Sequence, residues 1–259
     1  MNGPAVPVYP LMNEALSLDE LWDEAPRAER RFDPNLPNHW PEPVRRYLDH
    51  VIAPGAPLAK AVRLSMQGAI KLKTWCPFTA EEVICWDRGF VWRARIRFHG
   101  IPISGSDRWV DGAGAMRWAL FGLIPVATAS GPDITRSAAG RMNIEAIWLP
   151  SIFAREEVSW IAAGPTQIHA RFVSHGEQAD IDMGIDEAGR LRSVVMPRWG
   201  DPDGSAFGLY PCGAFVDEET SFDGYTIPSR LRVGWHFGSE RFAREGEFFR
   251  ATIESARFR

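Results

Sequence analysis

Cysteine is scarce in this chain of 259 residues: Cys76, Cys85 and Cys212 are odd in number and have no metal-ligand spacing. A disulfide framework and a cysteine-based metal site are thereby excluded, and buried, reduced thiols are expected. An excess of one charge is also lacking. The 29 basic residues face 33 acidic ones for a net charge of −4, so the whole chain carries no polyanion-binding signal and nucleic acid is not an expected partner. The longest nearly uncharged apolar stretch, Trp118 to Ala129, is far shorter than the roughly 20 residues of a spanning helix, and Pro125 breaks it. No membrane span is expected. Met1 to Arg31 show no basic start followed by an apolar run and a small-residue cleavage site, which predicts a cytoplasmic location. There is no G-x-S-x-G, no H-E-x-x-H, no phosphate-binding glycine loop and no C-x-x-C, so no standard catalytic template or cofactor is implied.

Tryptophan, by contrast, is abundant: 11 residues, most on stretches that alternate apolar and polar positions. Phe90, Trp92, Ala94, Ile96 and Phe98 alternate with Val91, Arg93, Arg95 and Arg97. Val62, Leu64 and Met66, then Ile168, Ala170 and Phe172, then Ala179, Ile181 and Met183 repeat the pattern, as do Leu231, Val233, Trp235 and Phe237 and, last, Phe249, Ala251 and Ile253. A period of two marks half-buried strands. Asp87-Arg88-Gly89, Asp111-Gly112, His175-Gly176 and Ala188-Gly189 supply the turns between them. Gly112-Ala113-Gly114 therefore reads as a hairpin turn, not as a nucleotide loop.

One hairpin can be registered outright. A loop over Ser174 to Glu177 sets Phe172 opposite Ala179, Ala170 opposite Ile181 and Ile168 opposite Met183 on one face. The other face then pairs Arg171 with Asp180 and His169 with Asp182, as opposite charges prefer. A slip by one residue would turn both aspartates into the apolar side. These aspartates are expected to form an ion-pair ladder, not a metal site. The arginine row of Arg93, Arg95 and Arg97 is expected on a solvated face opposed by Glu82.

Helices are few. Ser17 and Glu20 have the spacing of a capping box at the start of a short helix, Ser17 to Glu24, within a segment rich in proline and asparagine. Pro41-Glu42-Pro43 opens another, Val44 to Ile52, whose Val44, Tyr47, Leu48 and Val51 share one apolar face. Ser137 to Leu149 reads as a third, with Arg141 and Glu145 four apart, Ile144, Ile147 and Trp148 on one side, and Pro150 after its end. The domain reading is an N-terminal extension over residues 1–40 and a single β-rich domain over 41–259. The fold class is mainly β: a curved antiparallel sheet or incomplete barrel with a helical lid and N-terminal helices.

The run from Arg141 to Pro150 follows the pattern R, three residues, E, two residues, W, one residue, P. It resembles a bacterial domain family of unknown function. Pro43-Val44-Arg45-Arg46-Tyr47-Leu48, Trp75-Cys76-Pro77-Phe78, Phe90-Val91-Trp92, Asp111-Gly112-Ala113-Gly114 and Asp223-Gly224-Tyr225-Thr226-Ile227-Pro228 extend that likeness over roughly residues 40–259. The strand order with its inserted helix also resembles the lipoprotein-carrier fold (LolA- and LolB-like), an incomplete β barrel that holds acyl chains under helices. This resemblance implies a hydrophobic ligand. Fold does not fix function, and the unrecognised export signal departs from those carriers.

An aromatic interior is either packed solid or built around a ligand. The first expectation is a binding protein for a hydrophobic or amphipathic, lipid-like small molecule, with Arg141, Glu145, Trp148, Trp92, Trp118 and Trp235 as ligand-binding residues. A guanidinium beside a carboxylate would hold the polar head of such a molecule. Two alternatives stay open. One is an enzyme acting on such a molecule, Glu145 serving as general acid or base and Arg141 holding an anionic group. The other is an interaction module that dimerises through the N-terminal extension and exposed strand edges. His169, His175 and His236 are expected to be structural. The sequence does not rank oligomeric states.

Overall fold

The computed structural model describes residues 16–35 and 39–259. Thirteen strands form one antiparallel sheet. Six run in succession to one edge: β1 (Ala61–Lys71), β2 (Trp75–Cys85), β3 (Gly89–Phe98), β4 (Ile101–Val110), β5 (Ala113–Leu120) and β6 (Ile124–Ser130). Seven more return from the other edge: β7 (Ser159–Ala162), β8 (Gln167–Ser174), β9 (Glu177–Ile185), β10 (Leu191–Gly200), β11 (Gly208–Phe222), β12 (Tyr225–Trp235) and β13 (Glu247–Phe258). Pairing of β1 with β13 joins the two halves, which leaves β6 and β7 as free edges. The sheet is open, as an incomplete barrel is.

Because the chain reaches one edge at β6 and resumes at the other with β7, the segment between them must cross the sheet. That segment is α3 (Pro132–Ile144), continued by 3-10 turns over Glu145–Trp148 and Pro150–Ala154. It packs on β10, β5, β9 and β4, inside the curve. Topology alone thus turns this helix into the lid. Its start lies earlier than the expected Ser137, because Gly131 adopts a φ of 109° and Pro132 takes the first helical turn, where its missing N–H costs nothing. Its end tightens to 3-10 geometry at Glu145, which the apolar spacing of Ile144, Ile147 and Trp148 did not reveal.

The strand faces follow the period of two. On β3, Phe90, Trp92, Ala94 and Ile96 are buried while Arg93, Arg95 and Arg97 are exposed. The registered hairpin holds rung for rung, from Ile168 opposite Met183 to Val173 opposite Gln178. His175 and Gly176, with φ of 56° and 78°, form its two-residue turn, the positive-φ geometry that matches strand twist. The sheet coils so far that this tip meets the opposite half: the His175 ring centroid lies 4.4 Å from that of Trp109 and 5.6 Å from that of Trp86. Burial holds the His175 pKa below its ordinary value.

The predicted helices at the start also form. α1 (Leu18–Asp23) carries the full capping box, Glu20 N–H donating to Ser17 Oγ at 3.2 Å and Ser17 N–H to Glu20 Oε2 at 2.7 Å. Leu18 and Leu21 are buried in a small cluster with Val83, Cys85, Val91 and Val110, on the face of the sheet away from α3. α2 (Glu42–Val51) buries Val44, Tyr47, Leu48 and Val51 in the main core. One expectation is corrected here. Glu82 does not oppose the arginine row: Glu81 does, accepting from Arg93 at 2.7 Å, whereas Glu82 is fully buried on the inner face.

Candidate functional site

Between the concave face of the sheet and α3 lies an apolar cavity of about 480 Å³. Trp92 of β3, Val194 of β10, Ala214 of β11, Leu231 and Trp235 of β12 and Phe249 of β13 line it from the sheet; Arg141, Ile144, Glu145, Ile147 and Trp148 line it from the lid. Trp148 is locked by its indole N–H, which donates to the Pro228 carbonyl at 3.1 Å. The half-buried Ile70, Met116, Trp235 and Phe248 mark the side on which the cavity meets solvent.

The polar end of the cavity is a four-residue charge cluster. Arg141 donates from Nε to Glu145 Oε1 at 2.7 Å, from Nη2 to Glu82 Oε1 at 2.9 Å and from Nη1 to Asp107 Oδ2 at 3.4 Å. Its guanidinium also sits over the rings of Phe90 and Trp92, at 4.7 and 5.2 Å from their centroids. The remaining Asp107 oxygen, Oδ1, accepts from Trp118 Nε1 at 3.0 Å. Three carboxylates around one cation in a low-dielectric setting cannot all be ionised cheaply. Burial first, and then the Glu145 charge, raise the Glu82 pKa well above the ordinary carboxylate value, with Arg141 pulling the other way. Burial raises Asp107 too, against Arg141 and the Trp118 hydrogen bond. Burial alone would lower Arg141, and the three carboxylates together hold it above its ordinary value. Glu82 Oε2 and Glu145 Oε2 are both buried without a partner.

A second guanidinium lines the same cavity. Arg198 on β10 donates to the Ser137 carbonyl at 3.2 Å, lies over the Trp235 ring at 5.1 Å and has no carboxylate partner among the described residues. It covers Gly140 of α3, where a Cβ would press on its side chain.

Of the six residues expected to bind a ligand, Arg141, Glu145, Trp148, Trp92 and Trp235 line this one cavity, whereas Trp118 stands behind Trp92 at 5.7 Å and acts through Asp107. Sequence reasoning missed Asp107 and Arg198 and misplaced Glu82. For Glu82 a signal existed: Phe78, Ala80, Glu82 and Ile84 alternate on one face of β2, so the period of two already pointed Glu82 inward. The aspartates of the β8–β9 hairpin stay outside the site, with His169 Nδ1 at 2.8 Å from Asp182 and Arg171 Nε at 2.6 Å from Asp180.

An open antiparallel sheet wrapped around a crossing helix, with an apolar cavity between them, defines the class of fold. The chain belongs to DUF6920, a family of unknown function, which matches residues 38–258. No curated protein matches it. Among solved structures it is similar to a Vibrio parahaemolyticus domain named for outer membrane lipoprotein sorting, at 10% identity and a TM-score of 0.41 over 77% of this chain and 85% of that one. It is similar to a LolA superfamily protein from Nitrosomonas europaea, at 8% identity and a TM-score of 0.42 over 84% and 92%. A DUF1329 family protein from Desulfovibrio piger matches at 13% identity and a TM-score of 0.29 over 77% and 86%. The cytoplasmic location expected from the sequence is corrected by the first two of these, which lie with outer membrane lipoprotein sorting and the LolA superfamily.

Proposed function

We propose that this protein binds a hydrophobic or amphipathic, lipid-like small molecule between its sheet and its lid. The observation that carries the reading is the cavity: at about 480 Å³ it falls within the range of small-molecule sites, and its walls are mostly apolar with a few polar groups, Arg141, Glu145, Asp107 and Arg198 among them. Apolar walls supply affinity without direction. The cluster around Arg141, together with Arg198, fixes which end of the molecule enters first. The residues doing this are Arg141, Glu145, Trp148, Trp92 and Trp235, with Trp118 holding Asp107 in place.

The test is native mass spectrometry of protein purified without detergent. A reproducible added mass of small-molecule size, lost in Ala214→Phe, supports the reading, since Ala214 is buried in the cavity wall and a ring there fills the space. Bound mass that survives Ala214→Phe would place the ligand elsewhere, and a bare chain even after incubation with fatty acids and phospholipids would overturn the proposal.

A second reading is favoured by one observation, the partnerless carboxylate oxygen of Glu145 at the cavity wall, with that of Glu82 buried across the same Arg141 guanidinium. A carboxyl group whose pKa burial raises, Glu82, with a second carboxyl, Glu145, across the same guanidinium is an arrangement suited to acid–base catalysis. Turnover of a bound ligand that disappears in Glu145→Gln while the ligand still binds would establish it.

A further inference from the structure

The turns that follow β1, β3 and β5 project from one end of this half of the sheet, since alternate strands of an antiparallel ladder run the same way. They carry Leu72, Ile101, Phe121, Leu123 and Ile124, all exposed, with Leu123 at 82%. β6, which leads away from the last turn, is exposed along almost its whole length and adds Val126. A cluster of large exposed apolar side chains of this kind marks an interaction surface.

The charges on these turns and on the strand ends that carry them have one sign. Residues 71–80, 88–106 and 112–132 contain no aspartate or glutamate, yet they supply Lys71, Lys73, Arg95, Arg97 and Arg117 at this end. None of these five cations has a carboxylate partner among the described residues, whereas Arg93, level with Arg117 across β4, is paired with Glu81. The cavity opens beside them: Ile70 and Phe248 line it, and Lys71, Phe248 and Trp235 share the adjoining surface hollow with Asp201, which accepts from the Ser205 and Ala206 N–H groups, and with Asp203 and Glu245, both paired with Arg241.

We propose that this end of the sheet docks on a lipid bilayer bearing anionic headgroups, the apolar tips entering the interface and the unpaired cations meeting the headgroups. The tips stand apart on separate turns instead of lining a groove, and a bilayer receives separate protruding side chains without a matched contour. The acid-free cationic stretches complement an anionic surface. Docking in this pose sets the cavity mouth against the membrane, and it holds whether or not the cavity carries a ligand.

Flotation with vesicles tests it. The full chain should float with vesicles of phosphatidylcholine and phosphatidylglycerol, much less with phosphatidylcholine alone, and the difference should fade as salt rises. The double variant Leu123→Ser with Ile124→Ser should bind at least about tenfold more weakly. Removing one cation, as in Arg97→Gln or Lys73→Gln, should weaken binding about fivefold. Val173→Ser, an equally exposed apolar residue next to the His175 tip on the β8–β9 hairpin, should bind as the parent does. These positions are solvent-exposed, so unchanged melting curves will show that the variants fold. A parent chain that floats with neither vesicle, as expected if the surface serves a protein partner, overturns the proposal; so does undiminished binding of the Leu123/Ile124 variant.

Discussion

Arg141 and Glu82 meet 2.9 Å apart across the interior, one from the helix that crosses the sheet and the other from the middle of β2. The pair ties lid to sheet at the polar end of the cavity. Removing the cation leaves three carboxylates facing one another, so Arg141→Met is expected to cost about 3–5 kcal/mol, the penalty of an uncompensated buried charge. Urea denaturation measures it. Glu82→Gln keeps the hydrogen-bond acceptor and removes the surplus charge, and should be neutral or stabilising at neutral pH.

The same pair sets a pH dependence. Glu82 is raised in the folded state and titrates near 4.3 when unfolded. Between those two values the folded chain holds a proton that the unfolded chain has released, so stability falls as pH rises. The contribution is fully present below about pH 4.3 and is lost as pH climbs through the raised folded-state value. Asp107 shifts the same way and adds to the slope. Melting temperatures of the parent should therefore decline relative to those of Glu82→Gln as pH is raised above that point. Parallel curves would mean that Glu82 is ionised in the folded protein.

Trp148 anchors the lid's final turn through the Pro228 carbonyl and fills the cavity wall. Trp148→Phe should cost about 1 kcal/mol, the net worth of the lost hydrogen bond, plus some packing. Trp148→Ala should cost about 3–5 kcal/mol and enlarge the cavity. Thermal melts separate the two.

How far the sequence reaches is visible at particular residues. Alternation placed Trp92 and Arg95 on opposite faces of β3 because period two leaves no other choice once one face is apolar. The β8–β9 register was legible because both faces agreed. Strands β4, β5, β10 and β11 were less so: Ile101 to Leu120 mixes glycine, serine and charge on faces that are only partly buried, and the 15 residues of β11 carry bulges that break the period. Arg141, Glu145 and Trp148 could be grouped because they follow one another at four- and three-residue spacing on one short segment. Asp107 and Arg198 could not, since β4 and β10 are brought to them only by the coiling of the whole sheet.

The ladder of His169, Arg171, Asp180 and Asp182 lies on the outer face, so Asp180→Ala should change stability by only about 0.2–1 kcal/mol. Gly176 behaves differently. Its φ of 78° suits glycine, and Gly176→Val should destabilise the hairpin by at least about 1 kcal/mol, loosening the His175 tip from Trp86 and Trp109. Chemical denaturation of both variants, with tryptophan fluorescence as the probe, distinguishes a charge effect from a backbone one.

Gly105 faces Trp118 across the β4–β5 pair, and the indole ring lies where a Cβ at position 105 would go, with the Arg117 carbonyl beside it. This close approach lets Trp118 lie flat enough to donate to Asp107, which in turn accepts from Arg141. A methyl group at this point must push the ring away. Gly105→Ala is therefore expected to cost about 1–3 kcal/mol by overpacking and to leave Asp107 with one partner fewer in a buried site. Trp118→Leu removes the same donor by another route. Because each change breaks the same contact, the double variant should lose less stability than the two losses added together, with a coupling of about 0.5–3 kcal/mol. Additive losses would show that Trp118 does not connect Gly105 to the charge cluster.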